Sequence, residues 1–322
     1  MEKSPKALVL LSGGLDSILA AKLLTEQRIK VTGLIFKSCF FDERAGIAAA
    51  EQLGIPYRVI DFSKKHLALV KNPPRGYGKA ANPCIDCHLM MLTTAREIME
   101  NEGPARPKPC AKEGYDFVAT GEVLGERPFS QNKQALEIIA RKSGLRDRLL
   151  RPLSAKLLSP TLPEETGLVD RGKLMDIQGR QRQPQIELAK KYKLSYPAPA
   201  GGCILCEREF GRRLFELFEK WPEGDADDIE LLKLGRQFWH DRTKIVLGRN
   251  QEDNQRLKSL AKAGDILLKP AGFPGPIALI HGEKIDDGTV EKAKSLILSY
   301  SKKLPPRLGT AESSVQIRPS RL

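Results

Sequence analysis

Residues 7–17 read Ala7-Leu8-Val9-Leu10-Leu11-Ser12-Gly13-Gly14-Leu15-Asp16-Ser17, five apolar residues running straight into a turn of glycine, serine and aspartate. An uninterrupted apolar run of this length predicts a strand buried on both faces, as in a parallel sheet. Residues 18–27 predict the helix that follows it. A strand–turn–helix with two glycines at the turn suits phosphate. Gly13 and Gly14 let backbone N–H groups approach phosphate oxygens closely. The helix start adds the positive end of its dipole. Ser12 and Ser17 can donate hydroxyl hydrogen bonds to the same oxygens, and Asp16 can hold Mg²⁺, directly or through water, or cap the helix. An ordinary glycine turn with an aspartate cap is the plainer alternative.

Outward from this loop, strand and helix signals alternate. Strands are expected at 31–36, 57–62, 115–120 and 149–153, and helices at 44–53 and 133–142. Continuous apolar strands alternating with helices predict an α/β fold with a doubly wound parallel sheet, whose ligands bind at the carboxyl ends of the strands. Residues 71–79, rich in Pro, Gly and basic side chains, predict an exposed loop. Residues 159–182 read as a linker with a short helical turn, followed by a helix at 183–192. A further block predicts strands at 244–248, 265–268 and 277–280 with helices at 252–263 and 290–301, a small α/β domain. The expected organisation is therefore a catalytic domain at 1–160, an extension carrying a second cysteine pair at 161–228, a small α/β domain at 229–303, and a disordered tail at 304–322.

The 322 residues carry a formal net charge of +13. So basic a chain favours a polyanionic partner, RNA first among them, although a lysine-rich soluble protein would show the same balance. No apolar run is long enough for a signal peptide or a membrane span, so a cytoplasmic protein without a membrane partner is expected. Its six cysteines then point to metal, cluster or thiol chemistry rather than to a disulfide framework. Four of them form two Cys-x-x-Cys pairs, Cys84/Cys87 and Cys203/Cys206. Three chemistries stay open: a structural Zn²⁺ held by four thiolates, a [4Fe–4S] cluster held by three with one iron open, and cluster-free persulfide transfer. Cys39 and Cys110 have no spaced partner and read as small apolar residues.

Residues 12–17 resemble the pyrophosphate loop of the ATP pyrophosphatases. About residues 5–215 resemble the tRNA thiolation branch of that family, on the loop, on Asn82-Pro83-Cys84-Ile85-Asp86-Cys87, on Ala119-Thr120-Gly121-Glu122-Val123-Leu124-Gly125 with Arg127-Pro128-Phe129-Ser130-Gln131, on Arg151-Pro152-Leu153-Ser154-Ala155-Lys156, and on Gly201-Gly202-Cys203. The resemblance implies ATP cleaved between its α and β phosphates with Mg²⁺, and an AMP group transferred to a pyrimidine carbonyl oxygen of tRNA, a uridine foremost. Sulfur then replaces that oxygen. It implies Asp16 as catalytic, with Ser12, Gly13, Gly14, Asp16 and Ser17 on the nucleotide. It implies Cys84, Cys87 and Cys203 as catalytic and as ligands of a [4Fe–4S] cluster. Cys206 exceeds that pattern and would join them in a four-cysteine Zn²⁺ site. Thr120, Gly121 and Glu122 would lie near the nucleotide, with Gly121 packing on it and Glu122 on ribose or metal; a helix-capping turn is the other reading. Arg151 and Lys156, expected near the end of the fifth strand, could neutralise phosphate or RNA, or form a solvated basic face. His88, beside Cys87, could be a ligand or a proton donor.

About residues 240–300 are similar to the RNA-binding domain of the NFACT family, on Lys244-Ile245-Val246-Leu247-Gly248-Arg249-Asn250, Asn254, residues 265–268 and residues 272–276, departing from it at Leu268 and Pro276. That similarity implies Arg249 and Asn250 on RNA. The expected function is ATP-dependent tRNA thiolation, with tRNA and a sulfur donor (sulfide, a cysteine desulfurase or a sulfur carrier) as partners and a homodimer left open. Two rivals stand beside it: a pyrophosphate-loop enzyme for a small molecule, such as an amidotransferase or a cofactor sulfur-insertion enzyme, and a non-enzymatic RNA-binding protein.

Overall fold

A computed structural model describes residues 4–101, 114–198, 203–270 and 273–301, with the backbone of 317–321. They fall into two compact units, Met1–Glu207 and Arg208–Leu322. The expected 161–228 extension is divided between them.

Unit 1 contains β1 (Lys6–Leu10), α1 (Leu15–Thr25), β2 (Lys30–Lys37), α2 (Arg44–Leu53), β3 (Tyr57–Asp61), α3 (Ser63–Lys71), α4 (Cys84–Asn101), β4 (Phe117–Ala119), α5 (Lys133–Lys142), β5 (Leu149–Leu150), α6 (Leu162–Glu165) and α7 (Gln183–Lys191). Its sheet has the order β3-β2-β1-β4-β5 and is parallel throughout. Alternate residues of β1 serve opposite faces. Ala7 and Val9 pack with Ile18, Ala21 and Leu24 of α1 and Ala49 and Ala50 of α2. Leu8 packs with Leu92, Ala95 and Met99 of α4 and Ile139 and Ala140 of α5. Helices thus cover both faces, and the fold is the doubly wound α/β arrangement that the sequence predicts.

The strand order reverses between β1 and β4, which opens a crevice at their carboxyl ends. Residues 12–17 leave β1 at that point and residues 120–122 leave β4. Behind them, Ile186, Leu188 and Ala189 of α7 pack on Leu15, Leu19 and Leu23 of α1, so α7 lies along the helix that the glycine loop begins.

Some boundaries differ from those expected. α1 starts at Leu15 with Gly14 as its N-cap, so Asp16 and Ser17 belong to its first turn. β5 covers only Leu149 and Leu150, because Pro152 has no N–H to give a ladder. The cysteine-bearing α4 runs for 18 residues.

Unit 2 contains α8 (Arg208–Lys220), α9 (Ala226–Leu232), β6 (Arg236–His240), β7 (Thr243–Leu247), α10 (Gln251–Leu260), β8 (Ile266–Pro270), β9 (Ala278–His281), α11 (Asp287–Ser299) and β10 (Ile317–Arg321). Its sheet, ordered β10-β8-β9-β7-β6, is antiparallel throughout. Ile245, Leu268 and Ile280 face α11 through Ala293 and Ile297. Val246, Leu267 and Leu279 meet Leu231 and Leu257 on the other face. β10 belongs to the stretch that the sequence assigns to a disordered tail.

Candidate active site

The loop Ser12–Ser17 is shaped from within. Gly13 has φ +78°, and a Cβ there would come within 2.2 Å of the backbone of Ala45, so only glycine fits. Ser17 Oγ donates to the Gly14 carbonyl at 2.8 Å, Ser12 Oγ donates to Ser17 Oγ at 3.2 Å, and the Gly14 N–H donates to Ser12 Oγ at 3.3 Å. The two hydroxyls therefore hold the loop in form. Gly14 has no side chain to cap α1, which leaves first-turn N–H groups free to meet an anion.

Gly121 closes over this turn. A Cβ there would lie 2.5 Å from the Asp16 carbonyl carbon and the Ser17 nitrogen. Its close approach is thus made to α1 itself, not left open to a ligand as the sequence suggests. Glu122, next along, is buried. Its Oε2 accepts from Arg151 Nε at 2.8 Å and from Thr120 Oγ1 at 3.1 Å, and its Oε1 lies 2.8 Å from His88 Nδ1. Burial would raise the Glu122 carboxyl, but Arg151 and His88 overcome it and hold the group down at about 2. Glu122 is thus a pin between β4, β5 and α4 rather than a ribose or metal contact. Arg151 is correspondingly internal, only 6% exposed, with its second nitrogen on the Leu136 carbonyl. It presents no guanidinium face to RNA. Lys156 Nζ donates to the Gly172 carbonyl at 2.9 Å.

Asp16 sits where the crevice meets α7. Burial raises its carboxyl above the usual range, with Arg182 and Arg127 opposing. Arg182 stands 3.8 Å from Asp16 Oδ2, and Asp16 Oδ1 has no hydrogen-bond partner in the protein. A buried carboxylate oxygen left unpartnered beside a helix N-terminus fits Mg²⁺, which prefers carboxylate and water ligands.

The two cysteine pairs meet. Ala81 N–H donates to the Leu205 carbonyl at 3.0 Å. Asn82 bridges the pairs, its Nδ2 donating to Cys206 Sγ and its Oδ1 accepting from Cys84 Sγ, both at 2.9 Å. Burial pushes the Cys84 thiol up to about 11, with a further contribution from Cys206. Burial pushes Cys203 up to about 12, with Cys206 and Cys84 adding to it. Cys87 is raised by burial and then by Cys203 and Cys84. The four sulfurs thus belong to one cluster, in which burial favours the neutral thiol at Cys84, Cys87 and Cys203. All are soft donors, the type suited to zinc or an iron–sulfur cluster. Among the described residues, however, no three His, Cys, Asp or Glu side chains stand in a metal-holding arrangement. The donor chemistry fits a metal and the present placement of the sulfurs does not close on one. Cys39 is buried, as expected, and Cys110 lies outside the described residues.

One exposed guanidinium, Arg127, lowers the pKa of Asp16, Cys84 and Cys203 alike. Arg127 is thus within electrostatic reach of the glycine loop and of two of the four thiols. Sequence reasoning brought the loop and the cysteines forward, but not Arg182 or Gln185 on α7. The only hint was Pro184 at the start of a helix, a position that proline favours.

In unit 2, Arg249 pairs with Asp253 at 2.8 Å and is half exposed. Asn250 caps α10 by accepting from the Asp253 N–H at 2.8 Å. Lys244 is the unexpected residue. It is fully buried on β7, its Nζ has no hydrogen-bond partner and stands 4.5 Å from the Trp239 ring centroid, and burial pushes it down to about 7. Opposite it in the ladder is His281, with Asp265 at 2.6 Å and Asp228 at 3.1 Å on its two nitrogens. Burial lowers His281, but the two carboxylates outweigh this and raise it to about 9.

The two shifts have opposite signs. His281 contributes stability that is complete below its unfolded pKa of 6.5 and is lost as pH rises towards 9. The depressed Lys244 makes stability rise between about 7 and 10.5. Replacing an unpartnered buried ammonium by an apolar chain of similar size stabilises. Lys244→Met is therefore expected to stabilise unit 2 by about 1–3 kcal/mol at pH 7 and to uncover a loss of about 3 kcal/mol between pH 6.5 and 9. Denaturant unfolding across that range checks both; a destabilised variant with flat pH dependence would contradict the assignment.

Comparison with known proteins bears on both units. Residues 5–143 match the family model described as the tRNA methyl transferase HUP domain, and residues 235–317 match that of the NFACT protein RNA binding domain. The chain is 37% identical over 187 residues to the tRNA-specific 2-thiouridylase MnmA of Acidithiobacillus ferrooxidans (strain ATCC 53993 / BNL-5-31), covering 47% of this chain and 51% of the relative. It is 30% identical over 147 residues to the enzyme of the same name from Rhizobium leguminosarum bv. trifolii, covering 38% and 33%. The chain thus spans between a third and a half of these curated relatives. Among solved structures, a predicted subunit of tRNA methyltransferase from Methanocaldococcus jannaschii aligns at TM-score 0.33 with 17% identity, over 46% of this chain and 69% of that one. Both parts of the motif reading thus find counterparts: the N-terminal region is similar to the tRNA methyl transferase HUP domain and to tRNA thiouridylases, and the C-terminal region is similar to the NFACT RNA binding domain.

Proposed function

We propose that the protein is an ATP-dependent tRNA thiolase that adenylates a pyrimidine carbonyl oxygen, that of a uridine, and exchanges it for sulfur. The observation that carries this reading is that one compact unit holds the glycine loop and two cysteine pairs joined through Asn82, with Arg127 acting on Asp16, Cys84 and Cys203. A loop for phosphates alone would serve many reactions. A loop with thiols at the same crevice suits one in which ATP activates an oxygen and sulfur replaces it.

A carbonyl oxygen of a pyrimidine is a poor leaving group. Attack of that oxygen on the α-phosphate expels pyrophosphate, and AMP then leaves readily when sulfur adds to the ring carbon. The first-turn N–H groups of α1 would hold the phosphates, and Asp16 would hold a Mg²⁺ able to supply charge neutralisation to the leaving pyrophosphate. Arg127 faces both the phosphates and the thiols. The target base must leave its stack to reach the crevice. Unit 2, with its NFACT-like segment, would hold the tRNA body, and its affinity would fall steeply with salt as counterions are released.

The sulfur route rests on the cysteines. Cys84, Cys87 and Cys203 would hold a [4Fe–4S] cluster, which would supply a site for sulfide. Protein prepared without oxygen is then expected to be brown, with about four iron and four sulfide per chain. Cys84→Ala, Cys87→Ala and Cys203→Ala would each lose the cluster, and Cys206→Ala would keep it. One tight zinc lost on changing any of the four would make the site structural. No metal with thiolation intact would mean persulfide transfer.

The function itself is tested by incubating tRNA with the protein, ATP and sulfide and digesting it to nucleosides. A thiolated pyrimidine formed only with ATP supports the reading. Its absence with tRNA, with ATP consumed on a small molecule instead, would favour the small-molecule rival.

A further inference from the structure

Gln185, in the first turn of α7, is 0% exposed, and neither its carboxamide oxygen nor its nitrogen has a hydrogen-bond partner in the protein. Leaving a buried amide unpartnered is costly, and α7 has apolar neighbours enough to pack without it. Its surroundings give the amide a use. α7 packs along α1, and Asp16 Oδ1 in the first turn of α1 is itself unpartnered and buried. Arg182, three residues earlier, stands 3.8 Å from Asp16 Oδ2, and its own Nε is buried with no hydrogen-bond partner. Unpartnered polar atoms of Asp16 and Gln185 therefore stand near the first turn of α1, whose N–H groups have no side-chain cap, with Arg182 held between Asp16 and Glu126 at 3.8 and 3.9 Å.

A hydrated cation would satisfy Asp16 and Gln185 together, since Mg²⁺ gives up its water reluctantly and is commonly held by one carboxylate with its remaining waters hydrogen-bonded to the protein. The Arg182 guanidinium would face the phosphates that such a cation accompanies. A single buried water joining Gln185 to Asp16 is the plainer occupant.

We propose that Gln185 is a positioning residue of the nucleotide site, its carboxamide oxygen accepting from the hydration shell of the Mg²⁺ that Asp16 holds. The inference rests on the nucleotide reading given above and adds a residue on α7 to it.

The test uses full-length protein and α,β-methylene-ATP, which cannot be cleaved between its α and β phosphates, with binding followed by calorimetry at increasing Mg²⁺. Groups that support a metal through its ligands or waters typically change affinity by 10–100-fold. Gln185→Leu is expected to raise the half-saturating Mg²⁺ concentration roughly tenfold or more, with weak metal-free nucleotide binding unchanged. The same variant should melt ~2–4 °C higher without ligand, because it removes an unpartnered amide. Gln185→Glu keeps an acceptor oxygen and should bind Mg²⁺ close to the natural level. Leucine and glutamine forms with the same Mg²⁺ dependence would overturn the proposal and leave the buried water. Failure of the unaltered protein to bind the analogue at any Mg²⁺ concentration would instead overturn the nucleotide reading itself.

Discussion

Asp16→Ala is expected to abolish pyrophosphate release from ATP, by ~10²–10³-fold or more, while leaving the protein as well folded as before. The carboxylate lies in the first turn of α1 and is the group best placed to hold Mg²⁺. Its contribution to the fold is small. Burial works against its charge, and the helix dipole returns only about 0.3–1 kcal/mol. Loss of activity with an unchanged unfolding curve is therefore the expected pair of results, from a pyrophosphate assay and thermal unfolding on the same preparation. A variant with full activity would remove Asp16 from the chemistry and the adenylation scheme with it.

The reverse pattern is expected at Glu122. Glu122→Ala leaves Arg151 buried and without its carboxylate partner, a change that costs about 3–5 kcal/mol. That is a large share of the stability of a domain. It also frees His88 and unfastens the 120–122 turn from α4, so loss of activity should follow loss of structure. The pH dependence has a definite sign. The folded Glu122 carboxyl is held at about 2 against an ordinary value of 4.5, so its stabilisation is present above 4.5 and is lost as pH falls towards 2. Urea unfolding of unit 1, followed separately from unit 2, should show this loss in the natural protein and not in Glu122→Ala. Equal stability of the two forms at pH 7 would contradict the pin.

How much of this could be read in the sequence differs from residue to residue. The run Ala7–Leu11 and the glycines after it announced a parallel strand and a phosphate loop, because burial on both faces and the left-handed Gly13 each leave a local trace. The Cys-x-x-Cys pairs were visible for the same reason. What joins them was not. Asn82 meets Cys206 only through the fold, and nothing in a string of residues shows that Arg127 reaches Asp16 and the thiols together. Arg151 looked like a surface cation and is buried, since its partner Glu122 lies 29 residues away. β6 went unseen because Arg236-Gln237-Phe238-Trp239-His240 is a polar edge strand with no clean alternation. His281 carries no local signal in the sequence, and only the pairing of β7 with β9 and the approach of α9 bring Lys244, Asp228 and Asp265 around it.

The most direct test of the central claim is the fate of ATP with and without tRNA. Cleavage between the α and β phosphates is expected, giving AMP and pyrophosphate, with pyrophosphate release that requires tRNA and disappears in Asp16→Ala. Release of ADP and phosphate, or pyrophosphate release indifferent to tRNA, would contradict it.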